Sequence, residues 1–232
     1  MKKFKVIIVD DERSAREEIR RALLPYPDYE VIGEARNADE AEALIHAHRP
    51  DLLFLDIRMP ERSGFDLLAA LPDVPEVIFT TAFDQYAVQA FDNNALDYLM
   101  KPIRVERFAQ AMEKHGKKMQ ENNTTGKQLF IKDGEQCYFI KLKDIYLVES
   151  ADNYARLHFN DKKALIRASL HQLEEKLDPD IFFRINRTQL INTQYITHIQ
   201  PTTGGRFTIH LYNMTLEISS RQSVKFRQWN KP

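Results

Sequence analysis

The chain has 232 residues with a formal net charge of −1, and 43% of them are hydrophobic while 29% are charged. This composition is typical of a folded globular protein and excludes an intrinsically disordered one. We find no apolar run near the roughly 18 residues of a membrane span, no secretory signal, and only one cysteine, Cys137, which excludes an internal disulfide. We therefore expect a cytoplasmic protein.

The charge is unevenly divided along the chain. Residues 1–120 contain 17 Lys and Arg against 22 Asp and Glu, a net charge of −5. Residues 121–232 contain 16 basic against 12 acidic residues, a net charge of +4. An acidic first half joined to a basic second half indicates two partners of opposite charge, although imbalances of this size also arise by chance.

The first half alternates short apolar runs with segments of helical periodicity. The predicted strands are 5–9, 30–35, 52–55, 76–81 and 96–100. The predicted helices are 12–24, 38–48, 64–71, 84–91 and a long stretch from Arg104. This alternation predicts five βα units around a parallel sheet, and continuous apolar strands such as "LLFL" are typical of strands covered on both faces.

The polar stretch around residues 121–127 interrupts this alternation, so we predict a linker there between domains at 1–120 and 128–232. Beyond it the chain contains many short β-branched or aromatic runs separated by turn residues, from "QLFIKD" to "TLEIS". Such runs indicate an antiparallel, all-β domain. Helical periodicity is present only near 169–177 and after Ser220.

Polar side chains follow four of the strands predicted in the first half. Asp10 and Asp11 follow the first strand, Asp56 follows the third, Thr81 closes the fourth and Lys101 follows the fifth. These strand ends meet at one edge of a parallel sheet, where function gathers. Oxygen ligands suit Mg²⁺, and a carboxylate beside such a cation can act as a nucleophile toward phosphorus. Lys101 and Thr81 can contact phosphoryl oxygens.

Residues 1–120 resemble a response-regulator receiver domain, through the acidic pair, "DIRMP", the Thr-Ala step and the Lys-Pro step in family order. The resemblance implies a doubly wound, flavodoxin-like α/β fold in which Asp56 is the phosphoacceptor. It also implies Mg²⁺ ligands at Asp10, Asp11, Asp56 and the backbone carbonyl of Arg58, a switch hydroxyl at Thr81, a switch aromatic at Tyr98, a phosphate-binding Lys101 and a cis peptide before Pro102.

Each of these residues also has a simpler interpretation. Asp56 can cap a turn, Tyr98 can be a packing residue, and Thr80 can face the pocket in place of Thr81. We prefer Thr81 because Ala82 follows it, as in the family pattern. The full set in order along a βα pattern makes coincidence improbable.

Three segments of the second half carry polar and basic residues between strands. "ESADNYARLHF" places Asn153 and Tyr154 in a polar loop. "FFRINRTQLIN" places Arg184 and Arg187 around Asn186. "EISSRQSVKFRQW" ends a strand and continues through Arg221 as a basic segment. Arginine reads guanine and asparagine reads adenine, whereas lysine and serine contact phosphates. The alternative is that the arginines pair with carboxylates of their own domain.

These segments together resemble the LytTR DNA-binding domain, a family of elongated antiparallel sheets, over about residues 128 to 230. The resemblance implies DNA contacts by Asn153, Tyr154, Arg187 and Arg221. Many relatives have histidine where this chain has Asn186, so its role in DNA contact or internal packing stays open.

The sequence therefore predicts a two-component response regulator and not an enzyme. The resemblance implies that a sensor histidine kinase phosphorylates Asp56, that the receiver then dimerises through its fourth and fifth helices and the strand between them, and that the second domains bind repeated double-stranded DNA sites. A phosphohydrolase would need an acid two residues after Asp56, where this chain has Arg58. A third alternative is an adaptor whose β domain binds protein.

Overall fold

The computed structural model describes residues 3–82, 96–121, 128–134 and 136–229. Its contacts divide the chain into two compact units, Met1–Phe139 and Ile140–Pro232. Among the described helices, none is long and apolar enough to cross a membrane.

The first unit contains a five-stranded parallel sheet in the order β2-β1-β3-β4-β5. Its strands are β1 (Phe4–Val9), β2 (Tyr29–Ala35), β3 (Leu52–Asp56), β4 (Glu76–Thr81) and β5 (Asp97–Met100). Every residue of β3 and β4 is buried, as strands covered on both faces require. The predicted doubly wound α/β fold of this half is confirmed.

Four described helices accompany this sheet: α1 (Arg13–Leu23), α2 (Ala38–His48), α3 (Gly64–Ala70) and α4 (Val105–Glu121). The helix predicted over 84–91 lies outside the described residues. Local sequence sets the helix starts. The Asn37 side chain caps α2 by accepting from the Glu40 amide, and Ser63 and Asp66 form a reciprocal capping box at α3. Among the described residues of this unit, buried apolar side chains pack in two clusters.

A β-hairpin completes the first unit. Its strands are β6 (Gln128–Asp133) and β7 (Gln136–Lys141). The Phe130 ring stacks on Phe65 of α3 at a centroid distance of 5.8 Å, and Phe139 packs edge-on against Phe79 of β4 at 6.1 Å. The hairpin therefore shares a hydrophobic core with the parallel sheet.

The second unit is built mainly from two antiparallel sheets, ordered β10-β9-β8-β12-β11 and β13-β14-β15. Their strands are β8 (Ile145–Ala151), β9 (Tyr154–Phe159), β10 (Lys162–Ile166), β11 (Phe182–Arg184), β12 (Gln189–Asn192), β13 (Ile196–Pro201), β14 (Phe207–Leu211) and β15 (Met214–Ile218). The predicted antiparallel β architecture is confirmed.

Among its described residues the second unit has two α-helices, α5 (Leu170–Lys176) and α6 (Ser220–Trp229), where the sequence predicts helical periodicity. Side chains from both sheets and from α6 form one core, in which Phe226 of α6 contacts Phe183 and Phe207. This packing holds α6 against β11 and β14.

Candidate functional site

The carboxyl ends of β1 and β3 bring three carboxylates together. Asp10 and Asp11 follow β1, Asp56 is the last residue of β3, and a carboxylate oxygen of each lies within 4.8 Å of the others. Asp10 and Asp56 are buried, whereas Asp11 is exposed to solvent. The strand-end argument from sequence therefore predicts the position of this cluster correctly.

Lys101 joins two of the acids. Its Nζ atom lies 2.7 Å from Oδ2 of Asp10 and 2.9 Å from Oδ2 of Asp56. Burial raises the pKa of Asp10 above its ordinary value, and the opposing pull of the Lys101 ammonium does not cancel this effect. Burial alone would lower the pKa of Lys101, but hydrogen bonds to Asp10 and Asp56 outweigh this effect and raise the pKa of Lys101.

Backbone groups fix the orientation of the two buried carboxylates. The Glu12 amide donates to Oδ1 of Asp10 at 3.0 Å, and the Arg58 amide donates to Oδ1 of Asp56 at 3.2 Å. The start of α3 also approaches closely, because a Cβ atom on Gly64 would lie 2.4 Å from the Asp56 carbonyl oxygen. A larger residue at position 64 would displace α3 from the acidic edge.

The remaining residues predicted for this site lie around the same edge. Thr81 and Lys101 line a cleft of about 490 Å³ beside the acids, and Thr80 is buried at the preceding position of β4. Tyr98 is 4% exposed and packs in the hydrophobic cluster of the sheet. The peptide bond before Pro102 is cis, as the resemblance implies.

Sequence reasoning missed two residues that hold the walls of this cleft. Arg16 of α1 donates to the backbone carbonyl of Asp10 at 2.8 Å, and Glu18 accepts from the Ile103 amide at 3.1 Å. Both belong to a charged helix face whose pattern indicates only solvent exposure, so no signal in the sequence separates them from their neighbours.

The cluster fits a hard cation. Its donor atoms are carboxylate oxygens, which Mg²⁺ prefers, and together they carry more negative charge than Lys101 alone can neutralise. The exposed Asp11 leaves one side of the cluster open to solvent, which suits an ion that keeps several water ligands.

A second group of predicted residues lies at one end of the antiparallel sheet in the second unit. The Ser150 amide donates to the Thr188 carbonyl at 2.8 Å, which places the turn between β8 and β9 beside the loop before β12. The Ser219 amide donates to the Ile185 carbonyl at 3.0 Å, which places the start of α6 beside the same loop. Three segments that are distant in sequence therefore meet at one surface.

The side chains predicted to contact DNA are exposed on these segments. Asn153 and Tyr154 lie at the turn between β8 and β9, Arg187 lies in the loop before β12, and Arg221 lies in the first turn of α6. The structure brings all four to the same end of the second unit.

Two neighbours of Arg187 have internal partners. Arg184 pairs with Glu174 at 2.9 Å, in agreement with the alternative that an arginine here serves its own domain. Asn186 donates through Nδ2 to Gln189 and accepts from Thr188, so both ends of its amide are used inside the loop. These hydrogen bonds give Asn186 partners inside its own domain, and its role in DNA contact stays a question for experiment.

An acid-lined edge on a doubly wound sheet, followed by an antiparallel β unit, defines a receiver joined to an output domain. Family models agree with this class. The response regulator receiver domain matches residues 6–113, and the LytTr DNA-binding domain matches residues 118–231.

Relatives match along almost the whole chain. The chain is 34% identical to the sensory transduction protein LytT of Enterococcus faecalis, covering 95% of this chain and 96% of that protein. It is 35% identical to LytT of Bacillus subtilis (95% and 94%) and 34% identical to the transcriptional regulatory protein BtsR of Escherichia coli (94% and 95%). The chain belongs to the LytTR family of two-component response regulators, which are DNA-binding transcriptional regulators.

Proposed function

We propose that Asp56 of this regulator accepts a phosphoryl group from a cytoplasmic sensor histidine kinase domain, and that phosphorylation promotes a homodimer that binds repeated DNA sites. One observation carries the proposal: Lys101 bridges the buried Asp10 and Asp56 at the open edge of the sheet. An ion pair that only stabilises a fold rarely contains two buried carboxylates beside a third exposed one. Phosphoryl transfer to a carboxylate, by contrast, needs positive charge around the acceptor to offset the charge of the phosphoryl oxygens.

The chemistry at Asp56 is a displacement at phosphorus. A carboxylate oxygen of Asp56 attacks the phosphorus of a phosphohistidine, the P–N bond breaks, and the kinase imidazole leaves with the bond's electron pair. The product is an acyl phosphate on Asp56. The Lys101 ammonium then exchanges a carboxylate contact for the phosphoryl oxygens, and the Thr81 hydroxyl donates to one of them.

The carboxylates of Asp10, Asp11 and Asp56 and the carbonyl of Arg58 would hold Mg²⁺. When bound, the cation supplies positive charge to the phosphoryl oxygens.

Arg58 occupies the position at which a phosphohydrolase would place its acid, and the relatives are regulators by name, so we propose a regulatory role and no enzymatic turnover of a substrate.

The phosphoacceptor is tested with a small phosphodonor. We expect acetyl phosphate and Mg²⁺ to add the mass of one phosphoryl group to the full chain, seen by intact-mass spectrometry. Asp56→Asn removes the nucleophile and should abolish the addition, whereas Asp28→Asn, at an exposed position outside the cluster, should leave it unchanged. Equal uptake by Asp56→Asn and wild type would show that the acceptor lies elsewhere.

The dimer proposal rests on the carboxyl end of β5 and the start of α4. Met100 is 44% exposed and Val105, at the start of α4, is 80% exposed, so two apolar side chains face solvent near the phosphoryl site. Thr81 and Met100 are register partners, which links the cleft to this surface. We expect light scattering to show a larger mass after addition of beryllofluoride, a phosphoryl mimic. A Thr81→Ala variant that dimerises equally well would refute this route.

We propose that Arg187 and Arg221 make most of the direct DNA contact. Truncating a base-reading arginine costs about 1–3 kcal/mol of discrimination, whereas losing a phosphate contact weakens all sequences and lowers the salt slope by about one. We expect Arg187→Ala to show the first pattern and Arg221→Ala to show a mixture. The measurement is affinity for a selected site and for scrambled DNA at several salt concentrations.

Lys143→Ala is the charge control for both arginines. Lys143 is exposed and precedes β8 at the end of the sheet opposite Ser150, so its loss should leave the affinity for the selected site almost unchanged. Folded Arg187→Ala and Arg221→Ala variants that bind with wild-type affinity and selectivity would overturn the assignment.

A further inference from the structure

A chain of polar side chains runs from the interior of the second unit to the loop that carries Arg187. His158 on β9 is 1% exposed, and its Nε2 lies 2.7 Å from Oε2 of Glu149 on β8. The other carboxylate oxygen of Glu149 accepts from Nε2 of Gln189 at 3.0 Å, and Oε1 of Gln189 accepts from Nδ2 of Asn186 at 2.7 Å. The hydrogen bonds link three strands to one loop.

The order of donors and acceptors along this chain is fixed by its carboxylate. An ionised carboxylate only accepts, so both Gln189 and His158 must donate to Glu149. The amide oxygen of Gln189 is then left to accept from Asn186, whose own oxygen accepts from the amide and the hydroxyl of Thr188 at 2.9 and 3.1 Å. Reversal of either amide would place donor against donor.

The ionisation states agree with this order. Burial alone would raise the pKa of Glu149, but hydrogen bonds from Gln189 and His158 outweigh this effect and lower the pKa below its ordinary value. Burial also lowers the pKa of His158, although Glu149 opposes the shift. At neutral pH a carboxylate therefore faces a neutral imidazole that donates from Nε2.

The backbone of the loop is held from its other sides as well. Arg184 donates to the carbonyls of Asn186 at 3.1 Å and Arg187 at 2.8 Å, and the Thr188 carbonyl accepts from the Ser150 amide. These contacts hold the backbone on both sides of Arg187 while its side chain stays exposed to solvent.

We propose that Glu149, acting through Gln189 and Asn186, is a positioning residue for DNA recognition that fixes the direction in which Arg187 is presented. The inference rests on the proposed DNA contact of Arg187. An arginine that reads a base edge through two hydrogen bonds needs a fixed backbone, whereas attraction to phosphates tolerates movement. Loosening the loop should therefore reduce discrimination between sequences more than it reduces binding to scrambled DNA.

Glu149→Gln separates positioning from simple charge. Removing a negative charge near DNA would, by charge alone, strengthen binding to every sequence. The introduced glutamine, however, has only one acceptor oxygen for the two donors of His158 and Gln189. We expect the ratio of affinities for selected and scrambled DNA to fall about tenfold, within the range of one base contact.

The matched rescue exchanges the two side chains. In Glu149→Gln with Gln189→Glu, the new amide at 149 accepts from His158 and donates to the new carboxylate at 189, which still accepts from Asn186. Every hydrogen bond of the wild-type chain from His158 to Asn186 keeps a donor and an acceptor, and the net charge equals that of wild type. We expect this double variant to recover discrimination to within about twofold of wild type, since no base contact is lost.

The experiment measures both affinities for the full chain, wild type, Glu149→Gln, the double variant and Arg187→Ala. A site obtained by in vitro selection with wild-type protein is the specific DNA. Loss in Glu149→Gln with recovery in the double variant supports the proposal. Unchanged discrimination in Glu149→Gln, or a loss that the double variant does not recover, overturns it.

Two further variants keep the result interpretable. If Arg187→Ala discriminates between selected and scrambled DNA as well as wild type does, the DNA contact of Arg187 is wrongly assigned. That result would refute the proposed function, and not only the positioning role of the hydrogen-bond chain. If Glu149→Gln does not fold by circular dichroism, Asn186→Ala breaks the same chain at its half-buried end and should show the same loss. Unchanged discrimination in folded Asn186→Ala would overturn the positioning role.

Discussion

His115 is a residue whose burial makes the first unit sensitive to acid. It is fully buried on α4, and its Nδ1 lies 2.8 Å from the Tyr29 hydroxyl. Burial lowers the pKa of His115 from 6.5 to about 4; Asp51 opposes this shift more weakly, and Lys118 adds to it. The folded chain therefore resists a proton that the unfolded chain accepts readily.

The consequence is a loss of stability as the pH falls from about 6.5 to about 4. Above the unfolded pKa neither state holds the proton, so the stability is complete there. Below it only the unfolded state gains the proton, which costs up to roughly 3 kcal/mol. Calorimetry at a series of pH values should show a flatter acid dependence for His115→Gln than for wild type.

The exposed His46 supplies the control for this prediction, because His46→Gln removes an imidazole without removing a buried one. It should retain the wild-type acid dependence. Equal slopes for His115→Gln and wild type would mean that His115 takes up its proton as readily in the folded protein as in the unfolded chain.

Individual residues differ in how readily the sequence reveals them. Asp10, Asp56 and Lys101 could be predicted because each lies at the carboxyl end of a strand of a parallel sheet, and topology alone brings such positions together. Glu149 and His158 could not be predicted, because alternation along a strand indicates which face of the sheet a side chain lies on but not which side chain it contacts. The pairing depends on the register between β8 and β9, which shifts near Ile145 and Leu147.

At the scale of elements, sequence similarity assigns the hairpin of β6 and β7 to the DNA-binding domain, whereas its packing assigns it to the first unit. The LytTr model includes it within residues 118–231, whereas the contacts place Met1–Phe139 in the first unit. Its Gln128 carbonyl accepts from the Val74 amide, and its Phe130 ring stacks on Phe65. The predicted domain limits of 1–120, 121–127 and 128–232 stay a prediction.

Phe130→Ala should weaken the attachment of this hairpin. Removing a buried phenylalanine costs about 3–5 kcal/mol, through lost burial and the cavity left behind. Cys137, the sole cysteine of the chain, lies in the hairpin and is 3% exposed, so the rate of thiol labelling reports on opening. We expect labelling to accelerate by about two to four orders of magnitude.

Lys132→Ala is the control on the same hairpin. Its ion pair with Asp66 spans 3.3 Å between half-exposed side chains, and such surface pairs contribute about 0–1 kcal/mol. Labelling should therefore change by less than about tenfold. Labelling of Cys137 in wild type at the rate of a free, exposed thiol would contradict the packing itself.

Elements with strong periodicity could be predicted from the sequence to within one or two residues, including all five strands of the parallel sheet. The three-residue strand β11 was not predicted, because Phe182–Arg184 is too short to show a period and its pairing with β12 is a tertiary contact. The docking of the hairpin on α3 was also missed, since apolar strands look alike whichever core they join.

At the scale of the whole molecule, the acidic and basic halves correspond to different chemistry. The acidic half holds the carboxylate cluster, where a phosphoryl group would bind, and the basic half exposes arginines at one end of its sheet. Phosphorylation at Asp56 can influence DNA binding only if the phosphorylated receiver differs from the unmodified one in its affinity for a second receiver or for the DNA-binding unit of its own chain. Dimerisation meets this requirement, because two linked DNA-binding units gain effective concentration on a repeated site.

The most direct test of this account is the affinity of the full chain for a selected repeated DNA site, with and without beryllofluoride and Mg²⁺. The account predicts that the phosphoryl mimic tightens binding by wild type and leaves binding by Asp56→Asn unchanged. Equal affinity of wild type in both conditions, or equal tightening of Asp56→Asn, would contradict the claim that Asp56 controls DNA binding.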